Sequence, residues 1–584
     1  MLVRISRSRP ACLIPLIALV VGPATPLASR TPPDARVVAP QGPVRCNRGE
    51  QDVRATGIGR MIRKAPVYSN LPAPSPPPMP SHANAQEVVV SAQRVNPTMQ
   101  NVPMAIATAT SAQLEDRERY AGKDVAGIFA VAQQPVSTFS VDVDTGSYAN
   151  VRRFLVQGQT PPAAAVRTEE MLNYFRYDYP APEDRNRPFS VSTDMALTPW
   201  NAETRLLRIG IKGFDLKREQ RPPVNLVFLV DVSGSMYDQD KLPLVKSALS
   251  LLADRLSPRD KVSIVVYAGA AGIVLEPTSN PAYVKAALDC LEAGGSTAGG
   301  QGMELAYATA RAHFIKGGVN RVIMATDGDF NVGISSDEGI EAIVKKNRES
   351  GITLTTLGFG QGNYNEAMME HVADVGNGNY AYIDSAIEAQ KVLDEEMAAT
   401  LFTIAKDVKI QIEFNPSVVK EYRLIGYENR ALAEEDFDND TVDAGDIGSG
   451  HQVTALYELV PANAKGWLPA RHFDANRTPP GSPIAESDLA WLKLRYKLPD
   501  GDRSMLIERP VAASLARAAG QPQGDMAFAS AVAAFGQKLR GDKYLGTFSF
   551  ADIRRLAGGQ QGYLREEFLK LTGLADRRAA APAN

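Results

Sequence analysis

The stretch Asn225-Leu-Val-Phe-Leu-Val-Asp-Val-Ser-Gly-Ser235 decides the fold. Asn225 to Val230 is a continuous apolar run, the pattern of a parallel strand buried on both faces. A carboxylate and two hydroxyls follow at once, where an open α/β sheet places its ligand site. Working outward, strand and helix patterns alternate across residues 222–402. Val245, Ala248, Leu249, Leu252 and Leu256 follow at helical spacing, with Pro243 near the helix start. The strands Val262–Tyr267, Arg321–Thr326 and Ile352–Leu357 are separated by helices from about Ala282, at Gly302–His313 and at Asp337–Ser350. A single helix from about Ser385 to Thr403 is expected to close the block. The fold class is therefore α/β, a doubly wound parallel sheet of the Rossmann-like kind.

Three motifs fall at the carboxyl ends of these strands. They are Asp231-Val-Ser233-Gly-Ser235, the glycine-rich loop Gly294-Gly-Ser-Thr297-Ala-Gly-Gly300, and Thr326-Asp327-Gly328. Taken singly, each fits an ordinary Ser/Asp loop turn. Together they resemble the metal-ion-dependent adhesion site of von Willebrand factor type A domains. That resemblance implies hydroxyl ligands from Ser233, Ser235 and Thr297 and carboxylates from Asp231 and Asp327, partly through water. The chemistry agrees: hard oxygens without His or Cys suit Mg²⁺, with Mn²⁺ or Ca²⁺ as substitutes. Two carboxylates only neutralise one divalent ion, which leaves it electrophilic toward an Asp or Glu side chain of a protein partner.

The flanks carry strands. Leu207, Ile209 and Ile211 alternate with charged residues, as do Val408–Phe414 and Leu492–Leu498. Residues 137–220 and 406–505 are expected to pair into one β-rich module packed on the central domain. Within 506–584, Val511–Ala519 and Met526–Leu539 read as helices of a C-terminal tail. Ser137–Tyr148, Ala325–Gly333 and Gly450–Tyr457 resemble the bacterial YfbK-like subfamily of von Willebrand A proteins, over about residues 137–573.

Residues 1–28 read as a signal peptide, with Arg4, Arg7 and Arg9 before the short apolar run Ala11–Gly22. Residues 29–136 read as a disordered, proline-rich linker, with seven prolines between Lys64 and Pro80. A strand-prone segment at 86–115 interrupts it. Its Glu87–Arg94 part resembles the TonB box at the start of TonB-dependent receptors, which would add an edge to a partner sheet of TonB. The expected location is the periplasm or the exterior, with no membrane-spanning segment in the mature chain.

Composition excludes other classes. Sixty-three Lys+Arg against 66 Asp+Glu give a formal net charge of -3, without the basic excess of a nucleic-acid binder. Three cysteines, Cys12, Cys46 and Cys290, do not make a disulfide scaffold, and Cys290 reads as a small core residue. Asp142 and Asp144 read as a packed strand end, and the Asp436–Asp446 run as a solvated hairpin tip. No zinc-protease histidine pair, nucleophile elbow or P-loop is present. The enzymatic alternative, a Mg²⁺-dependent haloacid-dehalogenase-like phosphatase with Asp231 as nucleophile, needs a second Asp two residues on, where Ser233 stands. The expected function is non-enzymatic protein binding, with a structural envelope protein as the third class.

Overall fold

The computed structural model of the chain describes residues 118–182, 187–295, 299–328, 337–362, 364–469 and 488–580. The expected signal peptide, the strand-prone segment 86–115 with its TonB-box resemblance, and Thr297 lie outside the described residues.

Four strands precede the central block: β1 (Phe129–Ala130), β2 (Val136–Ser140), β3 (Phe189–Thr198) and β4 (Asn201–Gly213). The block itself holds β5 (Val224–Asp231), β6 (Lys261–Tyr267), β7 (Ala271–Thr278), β8 (Val319–Thr326), β9 (Ile352–Phe359) and β10 (Tyr380–Ile383). Seven more follow: β11 (Thr403–Phe414), β12 (Val419–Ile425), β13 (Ala431–Leu432), β14 (Ile447–Gly448), β15 (Gln452–Pro461), β16 (Asp488–Lys497) and β17 (Ser504–Ala512).

The central sheet runs β10-β9-β8-β5-β6-β7. Every neighbouring pair is parallel except β6 and β7, so an antiparallel edge strand completes an otherwise parallel sheet. The apolar run of β5 explains its central place. Leu226, Phe228 and Val230 enter one core with Val245, Leu249 and Leu252 of the helix Leu242–Ala253. Val227 and Leu229 enter the opposite core with Met303, Ala306 and Tyr307 of the helix Gly299–Ala312. Successive side chains of a strand point to opposite faces, and here both faces carry helices.

The flanks interleave. One antiparallel sheet has the order β1-β12-β15-β4-β3 and the other β13-β2-β11-β16-β17. Thus β4 lies between β3 and β15, and β2 between β11 and β13. Ile209 and Ile211 of β4 share a core with Ile410 and Ile412 of β11 and Leu492 and Leu494 of β16. The helices Gly524–Leu539, Phe550–Leu556 and Tyr563–Ala580 pack through Phe528, Phe535, Ile553 and Phe568 against Tyr148, Met171, Leu172 and Phe175.

Local departures from the sequence reading have identifiable causes. The helix expected over 385–403 is broken into Ala386–Gln390, a π-helical turn Lys391–Glu395 and Met397–Leu401, and Thr403 already begins β11. Val511 and Ala512 close β17 instead of opening a helix, which is confined to Ser514–Ala518. Pro510 is tolerated there because β17 is the last strand of its sheet. Residues 118–136, which composition assigns to the linker, are packed: Glu118 accepts from Arg153 at 2.7 Å and β1 pairs with β12. Their few apolar residues find partners contributed by distant sequence, such as Phe129 stacked on Tyr422. Cys290 is half-buried as the residue that closes the helix Pro281–Asp289, at the margin of the core that the sequence assigns it to.

Candidate metal centre

The first motif leaves the end of β5. Asp231 is fully buried, and both its carboxylate oxygens are held: Oδ1 accepts from the Ser233 backbone N–H at 2.9 Å, Oδ2 from the Thr326 hydroxyl at 3.0 Å. The Ser233 and Ser235 hydroxyls lie 3.0 Å apart on the turn Gly234–Tyr237. Met236 anchors that turn by burying its side chain in the core beneath, whereas Tyr237 is 79% exposed. The second loop is tied to the first through its backbone. Gly234 N–H donates to Gly295 O at 3.0 Å, and Gly294 N–H to Val232 O at 2.8 Å. Gly294 and Gly295 are thus pinned beside the turn that carries Ser233.

Asp327 follows β8 and is fully buried. Gly328 adopts φ +87°, and a Cβ there would fall 2.5 Å from the Asn365 backbone nitrogen, so only glycine lets the chain turn away here. The structure therefore brings Asp231, Ser233, Ser235 and Asp327 to one end of the sheet. Burial pushes the Asp231 carboxyl up to about 6, and the negative charge of Asp327 pushes in the same direction. The donor set fits a hard dication: buried carboxylates, two adjacent hydroxyls, and no nitrogen or sulfur ligand. Among the described residues no group of three His, Cys, Asp or Glu side chains is placed to hold a metal. A site here would thus depend on hydroxyls and water to fill its shell.

The roles of three residues of this site escaped sequence reasoning. Thr326 clamps Asp231, and the Tyr267 side chain at the end of β6 lies fully buried against both. Lys241 is the third: its Nζ donates to Asp327 Oδ2 at 3.0 Å, and its side chain is 6% exposed. One signal for it was legible. Lys241 stands at the N-terminus of the helix Leu242–Ala253, where the helix dipole disfavours a cation, so a compensating anion was to be sought.

The two other acidic clusters, the Asp142–Asp144 strand end and the Asp436–Asp446 run, form ion pairs. Arg430 donates to Asp142 at 3.2 Å, Asp144 at 3.1 Å and Asp374 at 2.7 Å. In the acidic run, Asp438 and Asp440 accept from Arg495 and Asp443 from Arg348, while burial pushes Asp446 up to about 7. That run is only partly a solvated tip.

Residues 225–396 match the family described as von Willebrand factor type A domain, and residues 114–208 a family described as von Willebrand factor. Residues 399–577 match the C-terminal family of uncharacterized protein YfbK. Uncharacterized protein YfbK of Escherichia coli (strain K12) is 50% identical over 489 residues, covering 81% of this chain and 83% of that protein. The chain belongs to the YfbK family. YfbK-family sequence accordingly surrounds a von Willebrand A domain on both sides here. Uncharacterized protein sll0103 of Synechocystis sp. is 33% identical over 187 residues, 32% of this chain and 43% of that protein. A von Willebrand factor type A structure from Catenulispora acidiphila is 15% identical with TM-score 0.36, covering 68% of this chain and 91% of that one. Proximal thread matrix protein 1 from the mussel byssus, with a zinc-occupied MIDAS motif, is 22% identical with TM-score 0.26, covering 32% and 46%. No helix of the described residues is long and apolar enough to cross a membrane.

Proposed function

We propose that this chain is an exported, non-enzymatic binding protein. Its von Willebrand A domain would hold Mg²⁺ at Asp231, Ser233, Ser235, Thr297 and Asp327 and capture an acidic side chain of a protein partner. One observation carries this reading: the convergence of buried Asp231 and Asp327 from two parallel strands onto a turn whose Ser233 and Ser235 hydroxyls lie 3.0 Å apart. Such a shell is neutral once a dication enters and keeps room for one more anionic oxygen. A divalent ion held that way acts as a Lewis acid toward a carboxylate. The chain's own residues orient the oxygens, and the pairing of Asp231 with Ser233 and Thr326 fixes its carboxylate plane.

The phosphatase alternative fares worse on the same geometry. Both oxygens of Asp231 are tied down by hydrogen bonds, and Ser233 stands where a proton-donating carboxylic acid would be needed. Capture from an envelope extract in Mg²⁺ and in EDTA, for wild type and Asp231→Ala, tests the reading. Partners retained equally under all conditions would end it. Turnover of p-nitrophenyl phosphate in Mg²⁺ would favour the enzyme, and neither behaviour would favour a structural envelope protein.

A further inference from the structure

Three segments distant in sequence enclose a cavity of about 540 Å³, within the size range of small-molecule sites. Residues 174–176 before the von Willebrand A domain form one wall, the broken helix at 387–396 a second, and residues 561–565 of the C-terminal tail a third. The break in the helix bears on the site. Its π-helical turn Lys391–Glu395 is a rare backbone form that recurs where helices serve a function, and both end residues of the turn line the cavity. Two large apolar side chains of the lining stand open to solvent: Ile387 is 47% exposed and Tyr563 53%.

The charged part of the wall is mostly committed to partners. Lys391 Nζ sits 4.1 Å from the centre of the Tyr174 ring and donates to Glu396 Oε2 at 3.0 Å, with its side chain buried. Arg565 is tied to Asp525 at 2.7 Å. Arg176 differs. Its side chain is 49% exposed, and its described partners are Gly450 O at 2.9 Å and Glu396 Oε1 at 3.4 Å. A guanidinium carries five N–H donors, so Arg176 keeps donors for a further acceptor.

We propose that this cavity binds an amphipathic organic anion, with an apolar or aromatic body against Ile387 and Tyr563 and one carboxylate- or sulfonate-type head on Arg176. Covering the two exposed side chains supplies the hydrophobic gain. The charge-assisted bond to Arg176 fixes the orientation. Glu395 and Glu396 on the same lining disfavour a head with several negative charges. An occupant that touches all three segments stabilises the folded chain by mass action. The proposal does not depend on the metal-site reading.

The test uses the full chain in EDTA and two fluorescent probes, 8-anilinonaphthalene-1-sulfonate and N-phenyl-1-naphthylamine, which share an aromatic body and differ in the sulfonate. Wild type is expected to bind the sulfonate probe more tightly than the neutral one and to melt higher in its presence. Arg176→Gln should weaken the sulfonate probe about tenfold and leave the neutral probe unchanged. Ile387→Asp and Tyr563→Ser, both at exposed positions, should each weaken both probes about tenfold. Melting of the unliganded variants checks that they fold. Leu506→Ser, at an exposed apolar residue of β17 outside the cavity, should change neither affinity. If wild type binds neither probe, or if Ile387→Asp and Tyr563→Ser leave both affinities unchanged, the cavity is not a ligand site. If Arg176→Gln weakens the two probes equally or not at all, the anionic head is not read there and the ligand class is wrong.

Discussion

Arg167 Nη1 donates to Glu366 Oε2 at 2.8 Å, joining the segment before the von Willebrand A domain to the helix Glu366–Val375 inside it. Both side chains are buried, and the same guanidinium pairs with Glu170. The surrounding charges do not balance. Asp142, Asp144, Glu170, Glu366, Glu370 and Asp374 converge on Arg167 and Arg430. Removing one cation leaves buried carboxylates uncompensated. Arg167→Met is expected to destabilise the protein by roughly 3–5 kcal/mol, measured by urea denaturation at neutral pH. A change within experimental error would mean that apolar packing alone joins the flank to the domain.

The excess of carboxylates makes stability depend on pH in a definite direction. Burial pushes Glu169 up to about 8, with Glu428 and Asp142 adding to it, and burial pushes Glu170 up to about 7. The folded chain therefore holds protons that the unfolded chain, with carboxyls near 4.5, gives up. Their contribution is complete below about 4.5 and is lost as pH rises through 7 and 8. Gln mimics the protonated Glu169 side chain. Glu169→Gln should accordingly stabilise the protein by about 1–3 kcal/mol at pH 9 and hardly at all at pH 5. Melting curves at the two pH values decide it, and equal effects at both would refute the assignment.

Gly360, at φ +71°, leaves a slot for the Lys241 stem, whose Cγ and Cε would lie 2.4 and 2.5 Å from a Cβ there. Alanine there meets both a left-handed φ and the lysine stem. Gly360→Ala should cost about 1–3 kcal/mol, read as a lower melting temperature in EDTA. A neutral outcome would show that the slot widens freely.

Arg423 ties the C-terminal helices to the sheet bearing β12. Its guanidinium donates to Glu458 at 2.8 Å, Asp542 at 2.8 Å and Gln537 at 2.6 Å, and all four groups are buried. Arg423→Met strands Glu458 and Asp542, so limited proteolysis should release fragments ending between residues 512 and 545. Adding Glu458→Gln and Asp542→Asn should restore protection, because the stranded charges are then gone. Protection unchanged in the single variant would show that the aromatic packing of Phe528 and Phe568 suffices.

The central block was readable because its signals are local. The run Asn225–Val230 announces a strand covered on both faces, and the carboxylate and hydroxyls that follow mark the sheet end that carries ligands. The edge strand β7 was missed, since Ala271–Thr278 shows neither clean alternation nor a long apolar run. The packed residues 118–136 were missed for a related reason: their partners, Arg153, Asn365 and Tyr422, lie tens to hundreds of positions away.

Sequence alone determined that strands and helices alternate in the central block, located β5, β6, β8 and β9, and set the residue types offered at its carboxyl end. Hydrophobic periodicity and oxygen-donor chemistry are properties of neighbouring residues, so they survive in one dimension. Tertiary structure decided which charges meet. Lys241 with Asp327, Arg167 with Glu366 and Arg423 with Asp542 are separated by 86, 199 and 119 positions. Coulomb and hydrogen-bond energies depend on distance in space, and only the folded chain sets it.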